Sequence, residues 1–111
     1  EIFGLHENEL DVVSNVVRFH RSSPPNKSHI CFMGLSTEDR IVVTKLAAIL
    51  RIADALDRGH QSRIRKIELE SLGDELSIRC HPHGDLAGER LALVTCSQMF
   101  EDLFGMKVVV E

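Results

Sequence analysis

"KLAAILRIADALDRGHQSRIRKIELES" (residues 45–71) contains the switch that decides the fold. Up to about His60 its apolar residues recur at the spacing of an α-helix, and Gly59 stands where such a helix is expected to stop. From Arg63 onward apolar and polar residues alternate, which is the period of a strand. A helical part therefore gives way to a sheet-forming part, and the predicted class is α+β.

Before the switch, "ENELDVVSNVVRFHR" (7–21) has helical period. Leu10, Val13, Val16, Val17 and His20 fall on one stripe, with acidic residues in the first turn and basic ones in the last. Pro24 and Pro25 end that helix, and "SSPPNKSHICFMGLS" (22–36) is expected as a loop whose "ICFM" docks on something. Ser36 or Thr37 is placed to cap the next helix, with Glu38 and Asp39 in its first turn.

After the switch, "RIRKIELES" (63–71) and "ELSIRCH" (75–81) read as a hairpin across "LGDE", with Ile67, Leu69, Leu76, Ile78 and Cys80 on its inner face. "PHGDLAGE" is a loop, "RLALVTCSQMFEDLF" (90–104) a helix ended by Gly105, and "MKVVVE" (106–111) a last strand. The predicted architecture is two antiparallel helices followed by a ββαβ unit with a small, mainly antiparallel sheet. The helical segment covers residues 1–61 and the ββαβ subdomain residues 62–111, and the two are expected to share one core.

The totals narrow the function classes. A chain of 111 residues with 43% hydrophobic and 27% charged residues suits one compact domain or two small ones. A formal net charge of -4, with no Trp and no Tyr, gives no case for nucleic-acid binding. No apolar window is long enough to span a membrane, and the first residues match neither a signal nor a transit peptide. Cys31, Cys80 and Cys96 form no CxxC pair and read as reduced cytosolic thiols. The opening "EIFGL", without Met, is expected to be cut from a longer protein.

Two carboxylates interrupt the apolar helix. At about 100° per residue, Asp54 and Asp57 point with Val43, Leu46, Leu50 and Ala53, while Ala48, Ile52 and Ala55 lie opposite. A helix apolar nearly all round is expected to pack on two sides, with both aspartates buried. A buried carboxylate needs a partner. Arg51 and Arg58, at i-3 and i+4 from Asp54, are one partner set. A metal ion or a histidine from another helix is the other. His20, predicted at the centre of the first helix's stripe, is a candidate buried partner. One His and two Asp leave a divalent ion short of ligands, so no metal site is expected. Arg18 and Arg21 flank His20 and would suit phosphate. The nucleotide, metalloprotease and serine-hydrolase motifs are absent from the sequence.

"VVRFHR" (16–21), "KSH" (27–29), "LSTEDR" (35–40), "KLAAILRIADALDRGH" (45–60) and "LFGMKVVV" (103–110) together resemble the C-terminal region of the exopolyphosphatase / guanosine pentaphosphate phosphohydrolase family. The resemblance spans nearly the whole chain. It implies an HD-like helical part, truncated at its N-terminus, followed by a small α/β part. Asp54 matches the late aspartate of HD phosphohydrolases by position and His20 resembles an accessory histidine. The remaining HD ligands would precede residue 1.

The resemblance also implies a function. The parent would be a cytoplasmic hydrolase of polyphosphate or guanosine pentaphosphate, with its phosphatase site and Mg²⁺ in N-terminal actin-like domains. This chain would hold no catalytic residue, would not be an enzyme alone, and would serve as an auxiliary substrate-channel and dimerisation domain in a homodimer. Arg18, Arg21, Lys27, Arg51 and Arg58 are the phosphate-binding candidates, and His20, Asp54 and Asp57 the HD-like buried polar residues. Two alternatives are a regulatory module binding a nucleotide such as guanosine tetraphosphate, and a purely structural dimerisation domain.

Overall fold

The computed structural model describes residues 4–21, 24–57, 64–81 and 86–111. Its elements are α1 (Glu7–Phe19), α2 (Ile30–Met33), α3 (Thr37–Leu56), β1 (Lys66–Leu72), β2 (Glu75–His81), α4 (Ala87–Cys96), α5 (Gln98–Phe104) and β3 (Lys107–Val110). The chain is α+β, as expected. It divides into two compact units, Glu1–Leu50 and Arg51–Glu111, with the boundary inside α3.

In the first unit the local signals act as read. Ser36 caps α3, its Oγ accepting the Asp39 N–H at 3.1 Å. The His6 N–H donates to Glu9 Oε1 at 3.4 Å, and Arg18 closes the basic last turn of α1. "ICFM" forms a single helical turn, α2, rather than open loop.

The buried face of α1 differs from the expected one. Val13 and Val17 are exposed, whereas Phe19 is 0% exposed and Asn15 is buried. Phe19 displaces the valines because one aromatic ring removes more apolar surface from water than either of them. Its ring meets Phe32 edge-on at 5.8 Å and His29 at 4.9 Å, which fastens the proline loop to the end of α1. Asn15 Nδ2 donates to the Asp11 carbonyl at 2.9 Å, while its buried Oδ1 has no partner among the described residues.

The aspartate-bearing helix also turns the other way. Val43, Ala47, Ala48, Ile52, Ala55 and Leu56 are buried, while Val42, Leu46, Ile49, Leu50 and Ala53 are exposed. Of the arc predicted to hold the carboxylates, Leu46, Leu50 and Ala53 are thus open and Val43 is buried. Asp57 is exposed rather than buried, and Asp54 and His20 are half-buried. Gly59, the expected stop, lies outside the described residues, and α3 ends at Leu56.

In the second unit β2 is central, in the order β1-β2-β3. The hairpin ladder runs without a break from Lys66↔His81 to Leu72↔Glu75, antiparallel. Gly73 supplies its turn with φ +63, a backbone region that L side chains rarely enter. β3 pairs parallel to β2, from Glu75↔Lys107 to Ile78↔Val110. The sheet is therefore mixed, the longer ladder being the expected antiparallel one. A helical connection carries the chain back to the start of β2, so the following strand joins it in the same direction.

β2 buries Ser77, Ile78 and Cys80, but every residue of β1 is exposed, Ile67 and Leu69 included. The inner face predicted for the hairpin is realised on β2 alone. The predicted helix 90–104 is two, α4 and α5, meeting at Ser97. Its buried stripe of Leu86, Glu89, Leu93, Ser97 and Phe100 keeps spacings of three and four across the junction, which is why the sequence reads as one helix. Gly105 ends α5 in the left-handed conformation, as predicted.

Candidate functional site

The segment from Val12 to Thr37 contains no Asp or Glu, yet it carries Arg18, Arg21 and Lys27. In a chain with net charge -4, that makes the loop following α1 a place where an anion meets little local repulsion. Local hydrogen bonds shape the loop. Asn26 Oδ1 accepts the Ser28 N–H at 2.8 Å, and the Asn26 N–H donates to His29 Nδ1 at 3.0 Å. This turn holds Lys27 exposed at its tip while the His29 ring lies against Phe19.

Lys27 lines a groove of about 310 Å³ together with Asn26, Phe32, Thr37, Arg40 and Thr44. Arg40 is the residue that the sequence did not nominate for phosphate. Its Nη2 donates to Thr37 Oγ1 at 3.1 Å and its Nη1 contacts Met33 Sδ at 3.3 Å. Its Nε is buried and has no hydrogen-bond partner among the described residues. A guanidinium and an ammonium group lining one groove can receive phosphate oxygens. Glu38 and Asp39, in the first turn of α3, oppose an anion there and set a limit on affinity. The signal that would have found Arg40 is its place one turn into a helix capped right after the acid-free segment.

The other candidates are placed as follows. Arg18 is exposed, with its guanidinium carbon 5.3 Å from the centroid of the Phe19 ring, and Arg21 is exposed just past α1. His20 Nδ1 is 2.6 Å from the Val17 carbonyl, a local contact at the end of its own helix. Arg51 is half-buried and belongs to the second unit, while Arg58 lies outside the described residues. The Asp57 N–H donates to the Asp54 carbonyl at 3.2 Å, closing the last turn of α3. No group of three His, Cys, Asp or Glu able to hold a metal ion exists among the described residues.

The second unit holds polar features that the sequence did not reveal. Glu89 is 4% exposed, the one buried carboxylate among the described residues. Burial pushes the Cys80 thiol above its usual range, with Glu89 adding to the rise and Arg90 opposing it. On the sheet, Glu68 contacts Lys66, Arg79 and His81 at 3.5–3.6 Å, and Arg79 also reaches Glu111 at 3.3 Å. The approach of the His81 ring to 3.5 Å, helped by Lys66, holds the Glu68 carboxyl below its usual range. Among the cysteines, Cys31 is exposed, Cys96 half-buried and Cys80 buried, so Cys80 alone is a full core side chain.

No described helix is long and apolar enough to cross a membrane. Compared with protein-family models and with curated proteins, the chain matches none.

Proposed function

We propose that this chain is the C-terminal auxiliary domain of an exopolyphosphatase-like phosphatase. It guides a polyanionic phosphate chain, polyphosphate or guanosine pentaphosphate, toward a distant active site and contributes to a homodimer. Catalysis and Mg²⁺ belong to the parent's actin-like domains, and the chain by itself hydrolyses nothing. The parent works in the cytoplasm.

The observation that carries the phosphate part is the groove in which Lys27 and Arg40 stand together beside an acid-free segment. The ordered motifs "VVRFHR" and "LRIADALDR" supply the family resemblance. A purely structural docking role is the second reading. The exposed Val42, Leu46 and Ile49, spaced four and three along α3, favour it.

Titration with long-chain polyphosphate at low and moderate salt tests the proposal. Wild type is expected to bind weakly, with affinity falling as salt rises. Lys27→Ala with Arg40→Ala is expected to weaken binding about tenfold, as lost charge-assisted contacts would. Arg18→Ala with Arg21→Ala is expected to weaken it less. Absence of binding at low salt, or equal binding by the Lys27/Arg40 double variant, removes the phosphate role and leaves the structural one.

A further inference from the structure

We infer that β1 is the edge along which two copies of this chain pair, antiparallel, about a two-fold axis at Ile67. This gives an address to the dimerisation part of the function proposed above and rests on that part alone.

The two edges of the sheet are treated differently. β3 turns the Lys107 and Glu111 N–H groups toward β2, where they donate to the Asp74 and Ile78 carbonyls. The alternate N–H, that of Val108, faces away and donates to Glu101 Oε2 at 2.8 Å. A carboxylate from α5 therefore guards that edge. β1 has no such guard. Its outer edge meets no backbone partner among the described residues, and all seven of its residues are exposed. The strand contains no proline, and its ladder with β2 is continuous from Lys66 to Leu72, the Arg65 N–H just before it also turning inward to the His81 carbonyl at 2.8 Å. A strand of this length with a free edge is a template for another strand.

The sequence of the strand, "KIELESL", selects the partner and the register. Residues directly opposite in an antiparallel pair share a face and interact. With the axis at Ile67, Lys66 of each copy stands opposite Glu68 of the other and Ile67 opposite Ile67, and the ladder ends there because the Arg65 N–H is turned inward to His81. With the axis at Glu68, that carboxylate meets its own copy. With the axis at Leu69, Glu68 meets Glu70. Axes between residues set apolar positions against charged ones. Charge complementarity thus singles out the Ile67 axis. Side chains from both copies then form one apolar cluster of Ile67 and Leu69, beside a row of alternating Lys66 and Glu68. A ladder of about three residues per copy buries far less than a standard interface of about 1,600 Å², so the pair is weak, with Kd in roughly the 10 µM to 1 mM range.

The test uses the whole chain. Light scattering across that concentration range is expected to show the mass moving from one chain toward two. Lys66→Glu changes an exposed side chain and sets two carboxylates opposite each other across the axis. It is expected to weaken the dimer about tenfold while far-UV circular dichroism stays unchanged. The axis is tested by cysteine cross-linking in a Cys31→Ser background. Residues opposite each other at the axis have Cα atoms about 4.5–5.5 Å apart, within disulfide reach. Ile67→Cys is therefore expected to give an oxidised dimer, and Leu69→Cys or the background alone to give none. A chain that stays monomeric overturns the inference and the dimerisation part of the proposed function, and leaves the polyphosphate titration to judge the rest. A dimer that Ile67→Cys does not cross-link, or that Lys66→Glu does not weaken, overturns the inference alone and moves the interface elsewhere.

Discussion

Ile67 and Ile78 have the same side chain, share one face of the same sheet and sit on adjacent strands, yet one is 44% exposed and the other 2%. The difference comes from what lies on each side of β2. Toward β3 the sheet continues, and the α4–α5 connection supplies Leu93, Met99 and Phe100 to the core of this unit. Toward β1 the sheet simply ends. Hydrogen bonding completes a ladder on both sides, but burial accompanies it on one. A strand can be fully paired along one edge and still contribute little apolar burial.

The sharpest way to break this comparison is to truncate both isoleucines, at dilutions where the chain is monomeric. Ile78→Ala is expected to cost about 2–5 kcal/mol in a denaturant melt, because it removes a buried side chain and leaves a cavity. Ile67→Ala is expected to cost less than about 1 kcal/mol. Equal losses would mean that β1 is covered in solution. Next in size is the guarded edge. Glu101→Ala orphans the Val108 N–H and is expected to cost about 1–3 kcal/mol, whereas Glu101→Gln retains an acceptor and is expected to cost less. Gly105→Ala is smaller again, about 1 kcal/mol. Nothing crowds a Cβ at that position, so the cost comes from φ +66 alone.

The smallest expected effects are in pH. Glu68 is held below its ordinary range, first by the His81 ring 3.5 Å away. Its folded pKa is thus the lower one. Its contribution is present above the ordinary carboxylate range and is lost as pH falls through the folded value. His81→Gln is expected to flatten the acid side of a stability-versus-pH profile slightly. Because Glu68 lies on the exposed strand, a large change would contradict the picture of β1 as an open edge. Cys80 acts in the opposite direction. Its folded pKa is raised by burial, so its contribution is present below the ordinary thiol range and is lost as pH rises above it. At pH 8 an alkylating reagent is expected to label exposed Cys31 before Cys80, as mass spectrometry of the peptides would show.

The candidate groove shows the same division between local and distant causes. Lys27 was legible from the sequence because an exposed basic residue in a proline loop needs only local chemistry. Arg40 was not, because its relevance depends on where the loop lands relative to α3. Phe19 and Phe32 decide that landing, and their meeting at 5.8 Å joins residues from separate elements.

What the sequence alone determined is the long elements and most of their ends, but not the short helix α2 or the break between α4 and α5. Ser36 at a cap, Gly73 and Gly105 at positive φ, and the change of period after the aspartates each act through bonds within a few residues. What the tertiary structure decided is which surfaces are inside. A helix as evenly apolar as α3 has no weak side to leave in water, so its sequence could not choose between the Leu46–Leu50 arc and the Ala48–Ile52–Ala55 arc. The structure buries the second, leaving Asp57 in solvent and Asp54 at the border. The alternation of β1 fitted a half-buried strand equally well, but half-burial requires a covering layer. Whether a layer exists depends on residues far along the chain, or on another molecule, because apolar burial is non-directional and is fixed only when the partners meet.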